Sequence, residues 1–170
     1  TVTTPTEGGT GASLTSDTLI VSSDTDLSTS TKADDEADTS VTPGQTVNDT
    51  ITLINSGGQA GTGINIDDTI DENSENFTNF NFTNCGTSYT DNSSSPTVNS
   101  DGLETAVGTN CIVTYDVDIK TPLNEGTTIE NQVTVGPSTE GGSGSTPSSD
   151  TLTVDATPDL STSTKADDDA

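Results

Sequence analysis

The chain has 170 residues, and its 28 Asp and Glu against three Lys, with no Arg and no His, give a formal net charge of −25. Such a field repels nucleic acid and anionic membrane surfaces, and no apolar run approaches the ~18 residues that would span a bilayer, so neither nucleic acid partners nor membrane insertion are expected. Leu, Ile, Val and Phe together number only 31, a share usual in disordered chains, but they alternate with polar residues as half-buried strands require, and pattern outweighs composition.

Taken in order, "DLSTST" from Asp26 predicts a first strand, followed by the acidic "KADDEAD" and a turn at Pro43-Gly44. Val47, Ile51 and Leu53 then share one parity, in a one-sided strand that ends at the Asn55 to Gly58 turn. Ile64, Ile66 and Ile70 are in phase, and Phe80 and Phe82 share a face. Residues 90–108 read as an irregular loop excursion. Cys111, Val113, Tyr115, Val117 and Ile119 alternate without a break. Ile129, Val133 and Val135 repeat the pattern, as do Leu152 and Val154, with "GPSTEGGSGSTPSS" as a flexible hairpin loop between them. Thr and β-branched residues dominate and no helical period is present, so the expected fold is all-β, an immunoglobulin-like antiparallel β-sandwich.

Residues 1–37 and 134–170, offset by 133, are identical at 23 positions, including "DLSTSTKADD" at both ends. That offset is too long for a solenoid unit and close to the size of an independent domain. The chain therefore reads as a segment of a tandem array: residues 1–25 as the final hairpin of a preceding repeat, 26–158 as one complete β-sandwich repeat, and 159–170 as the first strand of the next.

The order Asp26-Leu27-Ser28, Pro43-Gly44 before "TVNDTITLINSGG", Ile64 to Ile70 and Ile129 to Val135 resembles the conserved repeat domain of prokaryotic surface proteins known as the domain of unknown function eleven. The chain departs from that pattern in lacking the usual aromatic in its second strand. The resemblance covers nearly all of residues 26–157. It implies a β-sandwich repeated along extracellular stalks, adhesins or filaments of bacteria and archaea, without enzymatic activity. The partners it implies are neighbouring copies of the same repeat, head to tail, with exchange of an edge strand between them as one form.

Cys85 and Cys111 are the only cysteines, and with no His beside them they read as a disulfide, which places the chain outside a reducing cytosol. Sequons at Asn48, Asn76, Asn81 and Asn92 are candidate glycosylation sites. Asp24, Asp26, Asp34, Asp35, Glu36, Asp38, Asp155 and Asp159 gather near the repeat junctions and are candidate calcium ligands, although no EF-hand pattern accompanies them and no cofactor is required. Catalysis is not expected: there is no His to serve as a base and no phosphate-binding loop, and pairs such as Asp67-Asp68 and Asp116-Asp118 follow from the acidity itself. Bacterial surface domains sometimes join a Lys of an early strand to an Asn of a late one beside a carboxylate, and Lys32 and Asn131 occupy comparable places. Asn131 shares the parity of Ile129 and Val133 and is expected to face inward; Lys32 is out of phase with Leu27 and is expected to face outward. The functional expectation is a structural repeat module of an extracellular filament or surface stalk. The alternative is an adhesin or ligand-binding module, which would need exposed aromatics.

Overall fold

A computed structural model describes residues 23–157, together with the isolated residues 7, 15 and 164. Residues 1–22, the strand expected at 159–170 and the candidate ligand Asp159 otherwise fall outside the described residues. Eleven strands run in the order β1 (Thr31–Asp34), β2 (Ser40–Val41), β3 (Thr46–Leu53), β4 (Gly61–Thr69), β5 (Ser74–Thr83), β6 (Thr90–Asp91), β7 (Thr97–Thr105), β8 (Cys111–Ile119), β9 (Thr128–Ile129), β10 (Val133–Val135) and β11 (Leu152–Val154), and the described residues contain no helix.

The strands form a four-stranded sheet ordered β1-β3-β8-β5, a second ordered β10-β4-β7-β6, and a short sheet β2-β11-β9. All pairings are antiparallel except β2 with β11. The alternation read from the sequence is what builds them. Every second residue of β8, from Cys111 to Ile119, is buried, as are Val47, Ile51 and Leu53 of β3. One core lies between the two large sheets, where Ile51, Leu53 and Val113 meet Ile64, Ile66, Leu103 and Val133. A smaller one, made by Val41, Val47, Ile119, Ile129, Leu152 and Val154, closes the end that the short sheet covers. Each of these side chains contributes ~1.5–3 kcal/mol on leaving water, which is how a chain so poor in apolar residues still holds two layers together.

Three expectations are corrected. First, the initial strand starts at Thr31 rather than Asp26. The Ser30 amide donates to the Leu27 carbonyl at 3.0 Å, a turn that moves the buried positions from odd to even, so Leu27, Ser30 and Lys32 are all buried. Second, residues 90–108 are not a loop excursion, since they carry β6 and the nine-residue β7. Val98 and Ser100 share one parity with each other, Leu103 and Thr105 the other, and all four are buried; a bulge at Gly102, whose φ is 76°, reconciles the two halves. Third, the 136–149 segment is pinned rather than flexible. Val135 and Ser145 exchange backbone hydrogen bonds of 2.8 and 3.0 Å, and Leu27 N–H donates to the Ser143 carbonyl at 2.9 Å.

β5 also bends the simple pattern. Phe77, Phe80 and Phe82 all pack against the main core, although 77 and 80 differ in parity. Asn76 and Asn79 sit at φ of 53° and 55° beside register shifts, where Asn tolerates the left-handed region, and these bulges turn the rings to one side.

Candidate functional site

At the seam between the two apolar clusters, five polar side chains meet. Asp49 lies on β3 between Val47 and Ile51, Tyr115 on β8 between Val113 and Val117, and Asn131 between Ile129 and Val133. The alternation that buries their apolar neighbours buries them too. Asp68 comes from β4 of the opposite sheet, in the core phase of Ile64 and Ile66, and Lys32 extends inward from β1. Lys32 is thus the reverse of its sequence expectation, because the Leu27–Ser30 turn shifts its phase.

The Lys32 side chain has no exposed surface. Its Nζ donates to Asp49 Oδ2 at 2.9 Å, to Asp68 Oδ2 at 2.7 Å and to the Tyr115 hydroxyl, and lies 4.9 Å from the centre of the Tyr115 ring. The Tyr115 hydroxyl donates in turn to Asp68 Oδ2. Asn131 Nδ2 donates to the same Asp49 Oδ2 at 3.1 Å and to the Tyr115 hydroxyl at 3.4 Å. The amine of Lys32 and the carboxamide of Asn131 are therefore held against two shared oxygens. Asp68 Oδ1 and Asn131 Oδ1 are buried without a hydrogen-bond partner, an arrangement that costs stability and that native proteins retain at few positions.

Electrostatics follow from this burial. Asp68 has a raised pKa, chiefly because it is desolvated, with Lys32 opposing the shift. Burial also pushes the Tyr115 phenol far up, and the neighbouring Asp49 and Asp68 charges add to the effect, so it stays protonated and can only donate or accept as a neutral hydroxyl. One ammonium facing two carboxylates in a buried site leaves a surplus negative charge, which makes Asp68 a ready acceptor for a proton.

A cavity with about 20 Å³ of room for a water-sized molecule adjoins Asp49 and Asn131, with Ser74 and Ser149 also in its wall. That is enough for one small polar molecule.

The other sequence candidates are dispersed. Cys85 and Cys111 form the disulfide, with Cα atoms 4.5 Å apart, tying the end of β5 to the start of β8. Asn76, Asn81 and Asn92 are exposed, whereas Asn48 is half-buried and its amide donates to Asp116 at 2.7 Å. The acidic candidates mostly cap turns: Asp26 accepts from the Ser28 amide, Asp34 from Glu36, Asp35 from Asn48, Asp38 from Ser40 and Asp155 from Thr157. Asp24 is exposed and Glu36 accepts from Gln45 at 2.6 Å. Among the described residues no group of three or more acidic, His or Cys side chains is placed to hold a metal ion. Asp67 and Asp68 point to opposite faces, so they do not act as a pair.

Asp49, Asp68 and Tyr115 were missed as site residues. The signal was present in the sequence, since a carboxylate at a core-parity position in an otherwise apolar stripe must find a buried partner.

No known family profile matches the sequence, and no curated protein does. Solved structures do match. BcpA, the major pilin subunit of Bacillus cereus, is similar with a TM-score of 0.53 at 12% identity over 76% of this chain and 40% of the pilin. The N-terminal domain of the Streptococcus gordonii adhesin Sgo0707 gives 0.52 at 18% identity over 75% of this chain and 32% of that one. BslA, a bacterial hydrophobin, gives 0.51 at 12% identity over 78% of this chain and 98% of its own. The fold is an immunoglobulin-like β-sandwich of the kind found in pilin and adhesin domains of surface proteins. This chain spans well under half the length of the pilin and adhesin chains.

Proposed function

We infer that the chain is a structural β-sandwich module of an extracellular filament or surface stalk of a bacterium or archaeon, strung head to tail with copies of itself and working without catalysis. The observation that carries this reading is the offset of 133 residues at which 23 of 37 positions recur, because a spacer needs copies of one unit whereas an adhesive tip needs a single specialised one. The likeness of the fold to pilin and adhesin domains supports it, as does the disulfide, which suits an oxidising exterior. The aromatics are largely committed to the core: Tyr115 is buried, and the half-buried Phe77, Phe80, Phe82 and Tyr89 pack against it.

Electron microscopy of the native assembly, with image analysis along the fibre axis, tests the reading. A regular axial repeat of roughly 40–60 Å, one sandwich long at ~3.3 Å per strand residue, is expected. Isolated particles without such a repeat would overturn it.

A further inference from the structure

We propose that Lys32 and Asn131 are joined by an amide bond between Nζ and Cγ, formed within the folded domain with Asp49 and Asp68 as proton carriers. The inference rests on the cluster and is independent of whether the chain builds a filament.

Three features of the site lead to it. The nucleophile and its target are already together, because the Lys32 and Asn131 nitrogens share Asp49 Oδ2, at 2.9 and 3.1 Å, and also share the Tyr115 hydroxyl. Fixing two reactants in this way removes most of the entropy cost of bringing them together. The site is dry, so a lysine there reacts as a neutral amine once a carboxylate has taken its proton. Finally, the Asn131 carbonyl oxygen and one Asp68 oxygen stand without partners, the mark of a site whose polar groups serve more than packing.

The ammonium of Lys32 gives one proton to Asp68 Oδ2, 2.7 Å away, and the freed electron pair forms the new bond to Asn131 Cγ. A second proton passes from Nζ through Asp49 Oδ2, which touches both nitrogens, to Nδ2. The Cγ–Nδ2 bond then breaks and ammonia leaves. The third proton remains as the N–H of the new amide, and Asp68 is left protonated, so charge and atoms are conserved without an oxidant, a reductant or a cofactor. Burial favours the protonated form of Asp68, as this requires. The small cavity beside Asp49 and Asn131 has room for the departing ammonia. Asp49 and Asp68 act here as general acid–base groups toward the reacting nitrogens, and Tyr115 is a positioning residue.

The placement has a structural logic. Lys32 stands on the first strand, and Asn131 lies two residues before β10, a strand of the opposite sheet. The bond ties the start of the domain to its end through the core.

Intact mass of the full disulfide-bonded chain, measured after denaturation, is the test, followed by cleavage after acidic residues and tandem mass spectrometry. The expected result is a chain lighter by one ammonia, with a branched peptide joining Lys32 to Asn131, and the unreacted mass in both Lys32→Arg and Asn131→Ala. Because the unsubstituted chain itself is weighed, misfolding of a variant does not blunt the test. An unreacted mass in the folded chain would overturn the proposal. So would loss of water in place of ammonia, which would place Lys32 on a carboxylate, or loss of ammonia without the branched peptide.

Discussion

Lys32 and Asp68 belong to opposite sheets, and the 2.7 Å bond between them crosses the middle of the sandwich. The core is therefore not held by apolar contact alone. Its centre is a charged cluster whose members depend on one another, so deleting one leaves the rest buried and uncompensated.

Replacing Lys32 by Met is expected to destabilise the domain by ~3–5 kcal/mol, because Asp49 and Asp68 then stay buried without the nitrogen that partners both of them, and the link to Asn131 goes with it. Tyr115→Phe removes only a hydroxyl and is expected to cost ~1–3 kcal/mol. Denaturant titration of both variants checks the order, and an unchanged midpoint for Lys32→Met would refute the account.

The disulfide closes a loop of 26 residues. Its removal in a Cys85→Ser, Cys111→Ser double variant is expected to cost roughly 3 kcal/mol by freeing the unfolded chain. A melting curve in reductant offers the same comparison without mutation, and the two should agree.

Glu140 is partly exposed, and its pKa is held down to about 2 from an ordinary 4.5, first by the Thr62 hydroxyl at 2.6 Å and then by the Thr62 amide at 2.8 Å. A lowered value in the folded state means that its contribution is present above pH 4.5 and is lost as the pH falls through about 2. Asp68 has the opposite sign. Burial raises it above its ordinary 3.8, so its contribution is greatest below pH 3.8 and is lost as the pH rises through the folded value. Carboxyl NMR titration is expected to find Glu140 the lower of the two, with Thr62→Val moving Glu140 up and leaving Asp68 in place.

Gly142 has a φ of 96°, and a Cβ there would stand 1.6 Å from the Thr25 carbonyl oxygen. Gly142→Ala is therefore expected to push the segment around Leu27 off the domain. Hydrogen exchange at the Leu27 amide, which donates to Ser143, should quicken well beyond that of the β8 amides.

Much of this architecture is legible in the sequence. The unbroken alternation of β8 and the phased Ile and Val of β3, β4 and β10 fix which faces meet, because a period of two leaves only one way to bury them. What escaped was hidden by single-residue insertions. The Leu27–Ser30 turn reversed the phase of Lys32, the Gly102 bulge concealed β7, and the bulges at Asn76 and Asn79 disguised the shared side of Phe77 and Phe80. The site escaped for a different reason. In a chain with 28 acidic residues, Asp49 and Asp68 look like part of the solvated coat until their parity is compared with that of Ile51 and Ile66.

The burial of Lys32 also bears on digestion. Proteases that cut after Lys or Arg have three residues to work on in this chain. One of them is sealed inside the sandwich, Lys120 has its Nζ donating to the Glu72 carbonyl at 2.5 Å, and Lys165 lies outside the described residues. Between residues 23 and 157 a trypsin-like enzyme is left with Lys120 as its point of attack, so a composition that first reads as a matter of charge also leaves a common class of secreted protease few places to cut.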